Sequence, residues 1–553
     1  MQADLTRRTW LKGTAAWGAT LLTKYVPRRA RAAAGDAPRL RAVQQFADTV
    51  LEQGRDTYGP APTPLLVDGL NIETRQPVRW VHRGEAWICS NLASQQNLFR
   101  TLVGLSRLIG QERYRETAAA AVSYHFEQLV RSCGLLQWGG HRFYDAATGR
   151  FVGEQDTHEL KCSYPFFEFL YEVDAAATRR YIESLWNAHI LDWNQLDMNR
   201  HGRYGLQRGR LWDHEFGGFQ PFFEGRGLTF VNTGSDLYYA AALLHALTGA
   251  AEPLRWGSKL MEYYVRARDP DTGLGAYQYS QLAGGRDRAK VQLGPEFGEV
   301  ALEGKVLDPG RASVIYGRAG VCQMRIAELA GAAGADFLRW TCEGLRAYAQ
   351  HAYDPETNQV RALFTDGTPL APEDVVRSGY YRPSVFQPQT ASPLLLFAFA
   401  MAHRQTGDEA LWSTVRAMAQ GHGLGDWGTA PGRSPQPELD TATADPYLLF
   451  AVLETVQACP EPLYLDLARR LADNLLEQRF HEGLFRPSAR HRNASFDTVE
   501  PLALLTLEAL LRDERQAIPL YPAGRGFIHG PHDGLGRTYD HMALWGRTRD
   551  ESP

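Results

Sequence analysis

What this chain of 553 residues lacks narrows its function before any motif is read. Cysteine is scarce: six residues, at positions 89, 133, 162, 322, 342 and 459, lie scattered and never in a CxxC spacing. That excludes a zinc ribbon and makes a dense disulfide framework unnecessary in so large a chain. Most of the six are expected as buried apolar side chains, with room for one disulfide. An excess of basic charge is missing too. Lys and Arg number 59 against 63 Asp and Glu, a net charge of −4, and no basic stripe stands out, which argues against nucleic acid as the main partner. No stretch approaches about 18 consecutive apolar residues, so no membrane span is expected. Strand patterns are few and short, and local metal-binding spacings such as HExxH do not occur.

What is present reads as an exported globular protein. Apolar residues make up 44% and charged residues 22%, the balance of an ordinary soluble chain. The stretch Thr6-Arg7-Arg8-Thr9-Trp10-Leu11-Lys12 matches a twin-arginine export pattern, followed by a weakly apolar run and a small-residue cleavage site at Ala30-Arg31-Ala32. Residues 1–34 are therefore expected to be a signal peptide that brings the precursor to the twin-arginine export machinery. Residues 35–553 are expected to form one periplasmic or secreted catalytic domain.

Helical periodicity dominates the rest. Arg39–Gln53, Leu92–Leu108, Tyr114–Val130, Ala175–Trp193, Asp236–Thr248, Leu254–Ala267, Ala319–Ala330, Phe337–Ala352, Ser392–Gln405, Ala410–Ala419, Pro446–Ala458, Tyr464–Gln478 and Thr498–Arg512 all have helical spacing. Stacked antiparallel helices without a clean linker bury their apolar faces by closing on one another, so the fold class is all-α, an (α/α) barrel or toroid with few short strands in its loops. Long loops rich in glycine and aromatics are expected at one end, forming a cleft. The glycine-rich tail from Ala523 is expected to pack as a loop.

Chemistry concentrates between Leu135 and Gly205. A GGH turn at Gly139–His141, the cluster His158-Glu159-Leu160-Lys161 and the stretch Asn199-Arg200-His201-Gly202 bring imidazole, carboxylate and arginine into one region. Imidazole and carboxylate bind borderline divalent metals, and an arginine beside such a metal suits a carboxylate substrate. His141, Glu159 and His201 are the expected ligands, with His158 and His189 as competitors. With 13 Trp, 24 Tyr and 24 Phe, rings for the faces of pyranoses are plentiful, and Trp138 is taken as one of them.

These residues resemble the family 2 polysaccharide lyases, which are pectate (polygalacturonate) lyases: a GGH, then a glutamate, then a contiguous Arg-His pair. The stretches Ala276–Gln281 and Gly294–Gly310 are also similar, so the likeness runs from about Gln137 to Gly310. It implies an (α/α)7 barrel and a divalent transition metal, Mn²⁺ first and Ni²⁺, Co²⁺ or Zn²⁺ after it, held by His141, Glu159 and His201. It implies Arg200 as the base in β-elimination of a uronate polymer or oligogalacturonide, and a functional lysine for which Lys290 and Lys305 are the candidates. Arginine ordinarily keeps its proton above pH 12, so neighbouring cations must favour the neutral form. Arg311, Arg318, Arg377, Tyr380 and Arg382, in loop-like segments, are expected to bind the polyanion.

Two other functions fit the residues. A glycoside hydrolase would use paired carboxylates drawn from Asp145, Glu159, Asp213, Glu215, Glu296 and Glu299. A non-catalytic carbohydrate-binding toroid would bind without turnover.

Overall fold

The computed structural model describes residues 37–549 except 83, 139, 206–210, 221, 223–224, 281–302, 377–380 and 527–543. The expected signal peptide, Lys290, Glu296, Glu299, Arg377 and Tyr380 therefore lie outside the described residues.

Fourteen principal helices carry the architecture of the described residues. They are α1 (Pro38–Gln53), α2 (Gln96–Ile109), α3 (Glu112–Gln128), α4 (Phe167–Val173), α5 (Ala175–His189), α6 (Val231–Thr248) and α7 (Ala251–Arg266) in the first half. The second half holds α8 (Gly320–Ala330), α9 (Ala335–Ala352), α10 (Pro393–Thr406), α11 (Glu409–Gly421), α12 (Pro446–Ala458), α13 (Pro462–Arg479) and α14 (Glu500–Arg512). Their boundaries are written in the sequence. Ser392, Asp408 and Asp445 cap the N-termini of α10, α11 and α12 by accepting first-turn N–H groups. Gly110, Gly249 and Gly407 end α2, α6 and α10 in the left-handed conformation that glycine adopts without strain.

The helices pack as seven hairpins, α2 with α3, α4 with α5, α6 with α7, α8 with α9, α10 with α11, α12 with α13, and α14 with α1. The even-numbered members form the inner ring. α6 touches α4 and α8, α10 touches α8 and α12, and α14 touches both α12 and α2; Phe166 N, at the head of α4, donates to Gln96 Oε1 of α2 and closes the circle as an α/α barrel. Burial agrees: every residue of α2 from Gln96 to Ser106 is buried, whereas outer α7 buries one face. A ladder between Gly69–Asn71 and Asn493–Ser495 ties the ends of the ring together.

Within a hairpin the turn is short, and between hairpins the connection is long, so all long connections gather at the N-terminal end of the inner ring. One of them contributes to an antiparallel sheet of β1 (Arg79–His82), β2 (Glu85–Ser90), β3 (Arg142–Asp145) and β4 (Arg150–Gly153). A separate pair, β5 (Thr157–Glu159) and β6 (His201–Arg203), joins two successive connections. No helix among the described residues is long and apolar enough to cross a membrane. All six cysteines are free thiols, so the expected room for a disulfide is not used.

The C-terminal segment does more than pack as a loop. Ile518 and Pro519 lie against Gly104 near the far end of α2. Tyr521 stacks on Phe397 of α10 and Phe450 of α12, and its carbonyl accepts from Arg325 Nε of α8. Ala523 O accepts from Arg318, Gly524 O accepts from Asn97, and Arg525 N donates to Cys162 O. One short segment thus touches α2, α8, α10 and α12 of the inner ring, so it runs inside the barrel. At about 3.3 Å per residue, Ile518–Gly526 is long enough to pass along an inner helix of 14 residues.

Candidate active site

Strand alternation builds the centre of the site. In the β5–β6 pair Glu159 stands opposite His201, and His158 opposite Gly202. Successive side chains leave opposite faces, so Glu159 and His201 share one face while His158 points to the other. His141 arrives at the start of β3, tied to β5 by the bond from Gly140 N to Glu159 O at 2.9 Å. Its Nε2 lies 3.1 Å from Glu159 Oε2, and His201 Nε2 lies 3.5 Å from Glu159 Oε1. One donor atom from each of the three falls within 4.8 Å of the others, and among the described residues they are the one such group of His, Cys, Asp or Glu. Metal–ligand bonds of about 2.0–2.2 Å fit a trio at that separation.

Cations surround the carboxylate. Arg200 Nε and Lys161 Nζ both lie 3.3 Å from Glu159 Oε1. Lys161 follows Glu159 by two residues and so returns to its face. Burial pushes the Glu159 carboxyl up, but His141, His201, Lys161 and Arg200 outweigh it and hold the group well below the usual carboxylate range. Burial pulls the Lys161 ammonium down to about 8; Glu159 opposes that fall, while Arg200 and Arg525 add to it. Arg525 reaches this neighbourhood from the axial segment, far along the chain from His201.

From Arg200 a row of rings and cations continues through Phe230 and Tyr277 to Arg311. The Arg200 guanidinium lies 5.0 Å from the Phe230 ring, Phe230 lies 5.1 Å from Tyr277, and Arg311 lies 5.3 Å from Tyr277. Arg311 also donates to Tyr381 Oη at 3.2 Å and lies 5.2 Å from its ring.

Several expected residues stand elsewhere. Trp138 is 1% exposed, packed against His158 and Tyr181, and has no face for a sugar. Sequence gave its residue type, and burial decides its role. Lys305 sits with its Nζ 5.9 Å from the Phe222 ring, and among the described residues the lysine that touches the trio is Lys161. Arg318 is engaged by Ala523 O and Tyr447 Oη, which makes it an anchor for the axial segment. Arg382 is exposed on the rim. His158 and His189 are not in the trio; they bond to each other behind it, Nδ1 to Nε2 at 3.0 Å. Asp145, offered as a hydrolase acid, is buried and accepts from Ile88 N, Ala147 N and Thr148 Oγ1, holding a turn. Lys161, Phe230, Tyr277 and Arg525 were not singled out as site residues in the sequence. Only Lys161 carried a local signal, its i+2 relation to Glu159.

Comparison with known proteins joins this geometry to a family. The chain matches the periplasmic pectate lyase family across residues 63–531. A relative from Dickeya dadantii (strain 3937), a pectate disaccharide-lyase, is 32% identical over 521 residues, covering 89% of this chain and 93% of that protein. The α-1,6-mannanase of Salegentibacter sp. HEL1_6 aligns with 86% of this chain and 99% of its own at 10% identity and a TM-score of 0.39. Cellobiose 2-epimerase from Bacillus thermoamylovorans B4167 aligns with 76% of this chain and 98% of its own at 9% identity and a TM-score of 0.42. Site and sequence together define a polysaccharide lyase. The chain belongs to the periplasmic pectate lyase family, and it is a pectate-degrading enzyme of the periplasm.

Proposed function

We propose that this enzyme cleaves 4-linked galacturonate polymers by β-elimination at the His141–Glu159–His201 centre, with a divalent transition metal held by those three side chains. The observation that carries the reading is the convergence of two imidazoles and a buried carboxylate with Arg200 within 3.3 Å of that carboxylate. The residues fit a metal. His141 and His201 each turn Nε2 toward the buried Glu159 carboxylate, at 3.1 and 3.5 Å, so two imidazole nitrogens and a carboxylate oxygen face one point. Two nitrogens and an oxygen suit Mn²⁺, Ni²⁺, Co²⁺ or Zn²⁺, and calcium would call for more oxygens. When bound, such an ion supplies positive charge to the C6 carboxylate of the substrate, which acidifies the C5 proton.

The chain's own residues do the rest. Arg200 takes the C5 proton, the C5–H electron pair forms the C4–C5 double bond, and the C4–O bond breaks with its electrons going to the departing sugar oxygen, which then takes a proton. Arg311 and Arg525 offer positive charge to the carboxylates of neighbouring sugars. A second assignment of the base follows from Lys161, which shares Glu159 Oε1 with Arg200: Lys161 takes the proton and Arg200 grips the carboxylate. From the Dickeya relative we carry over disaccharide release. The twin-arginine pattern supports export through that machinery.

The test is absorbance of unsaturated product from polygalacturonate, with chelator and with Mn²⁺ returned. Loss on chelation and recovery with metal is expected, and reducing-sugar release without absorbance would replace elimination by hydrolysis. His201→Ala is expected to lose metal and turnover together. Arg200→Ala is expected to keep the fold and metal and lose about 10²–10⁴ in kcat, the usual contribution of a general base; near-normal turnover there, with loss in Lys161→Ala, would assign the proton to Lys161.

A further inference from the structure

Behind the site lie two histidines that the reaction does not use. His158 and His189 are both fully buried, and they meet on the face of β5 opposite Glu159, Nδ1 of His158 to Nε2 of His189 at 3.0 Å. The other nitrogen of His189, Nδ1, lies 2.7 Å from Asn199 O. A carbonyl oxygen only accepts, so His189 Nδ1 carries the proton. In a neutral ring Nε2 is then the acceptor, and His158 Nδ1 donates to it.

The acceptor carbonyl is the one that precedes Arg200. Asn199 N donates back to His189 O at 2.8 Å, and Arg200 N donates to Leu228 O at 3.0 Å. The carbonyl and the amide of the Asn199–Arg200 peptide are thus held from both sides. Asn199 Oδ1 in turn accepts from His201 N at 3.0 Å. The glycine next in line leaves room for this arrangement, since a Cβ on Gly202 would lie 2.6 Å from His189 Nε2.

We propose that the His158–His189 pair is a positioning device for catalysis: it locks the Asn199–Arg200 peptide so that Arg200 is presented to the site in one fixed orientation, while His201 keeps its place through the strand register. The proposal rests on the functional reading above. Asn199 O sets the tautomer of His189, His158 holds the ring by donating to its other nitrogen, and His189 holds the peptide plane from which the Arg200 side chain departs. Neither ring touches substrate.

Asparagine and glutamine separate the two nitrogens. In His189→Asn the amide nitrogen can stand where Nδ1 stood and still donate to Asn199 O, whereas in His189→Gln the amide reaches the Nε2 position and that donor is lost. With Mn²⁺-loaded enzyme and polygalacturonate, His189→Gln is expected to lower kcat about a hundredfold, the scale of a misplacement near 1 Å, while KM stays within about threefold. Calorimetric Mn²⁺ affinity should likewise hold within about threefold, and His189→Asn should recover most of the lost kcat. Equal kcat in wild type and His189→Gln, or equal loss in both variants, would overturn the proposal, as would a loss that follows Tm and metal content alone. Long-range ¹H–¹⁵N spectra of the wild-type imidazoles give a readout independent of turnover: Nδ1 protonated and Nε2 unprotonated in His189 is expected. The opposite tautomer ends the proposal even if the enzyme is a lyase. A wild type with that tautomer but no unsaturated product ends the lyase reading instead.

Discussion

Asp236 is a residue whose surroundings make a pH prediction. It lies on inner helix α6, fully buried, and accepts from Tyr164 N at 2.8 Å. Burial pushes its carboxyl up to about 7, against the pull of the backbone N–H groups of Tyr164, Ser163 and Cys162. The folded state therefore keeps a proton that the unfolded chain gives up near its ordinary 3.8. The stability this contributes is fully present below about pH 4 and is lost as pH rises through about 7. Asp497 is raised to about 7 by burial as well and acts with the same sign. Asp236→Asn keeps the accepting oxygen without the titration, so its Tm should fall less than that of the wild type between pH 4 and pH 7; an unchanged slope would remove Asp236 from the profile. At this scale much of the site was legible. His141, Glu159, Arg200 and His201 stood in a recognisable order, and the structure brings them together. Lys161 was legible in principle, because alternation returns i+2 to the same face, but its position in the chain drew less notice than loop lysines further on. Arg525 had no local signal at all, and Trp138 was misread because residue type does not report burial.

At the scale of elements, periodicity located thirteen of the fourteen principal helices among the described residues, with ends shifted by a few positions where caps decide. The exception is α4. It has seven residues, under two turns, which is too short for an amphipathic period to stand out. The expected helix over Ala175–Trp193 stops at His189, because Ile190–Asp192 turns into a short ladder with Asp197–Met198. The β5–β6 pair was not legible either: two three-residue strands are too short to show alternation, yet their register places Glu159 opposite His201. That register is the element-scale requirement of the site. Gly202→Ala would drive a methyl into the His189 ring, and overpacking of this kind costs about 1–3 kcal/mol. A lowered Tm together with weaker Mn²⁺ binding is the expected result, whereas Gly205→Ala, whose methyl meets nothing within 4 Å but whose φ of 86° strains a side chain, should lower Tm with no loss of metal.

At the scale of the molecule, the toroid was legible from the repeated helix–turn–helix grammar, and its filled axis was not, because only the closed ring gives the tail something to fill. Tyr521 is the centre of that filling, 2% exposed, with its ring 5.1 Å from Phe450 and its hydroxyl donating to Gly524 O at 3.2 Å. Tyr521→Ala should cost about 3–5 kcal/mol, as truncation of a large buried aromatic does, and Tyr521→Phe much less. Thermal unfolding of the two variants compares them directly, and equal Tm values would show that the axis is dispensable.

A ring plugged by its own tail also has an order of assembly. Domains emerging from the ribosome tend to fold from the N-terminus forward, but here the stretch that occupies the lumen is made after all seven hairpins. The seven hairpins must wait with an unfilled centre, or close only when the tail arrives. Either way the finished state waits for Ile518–Gly526 to be made, and a chain that stopped before Ile518 would leave a hollow wheel rather than a slightly shorter enzyme.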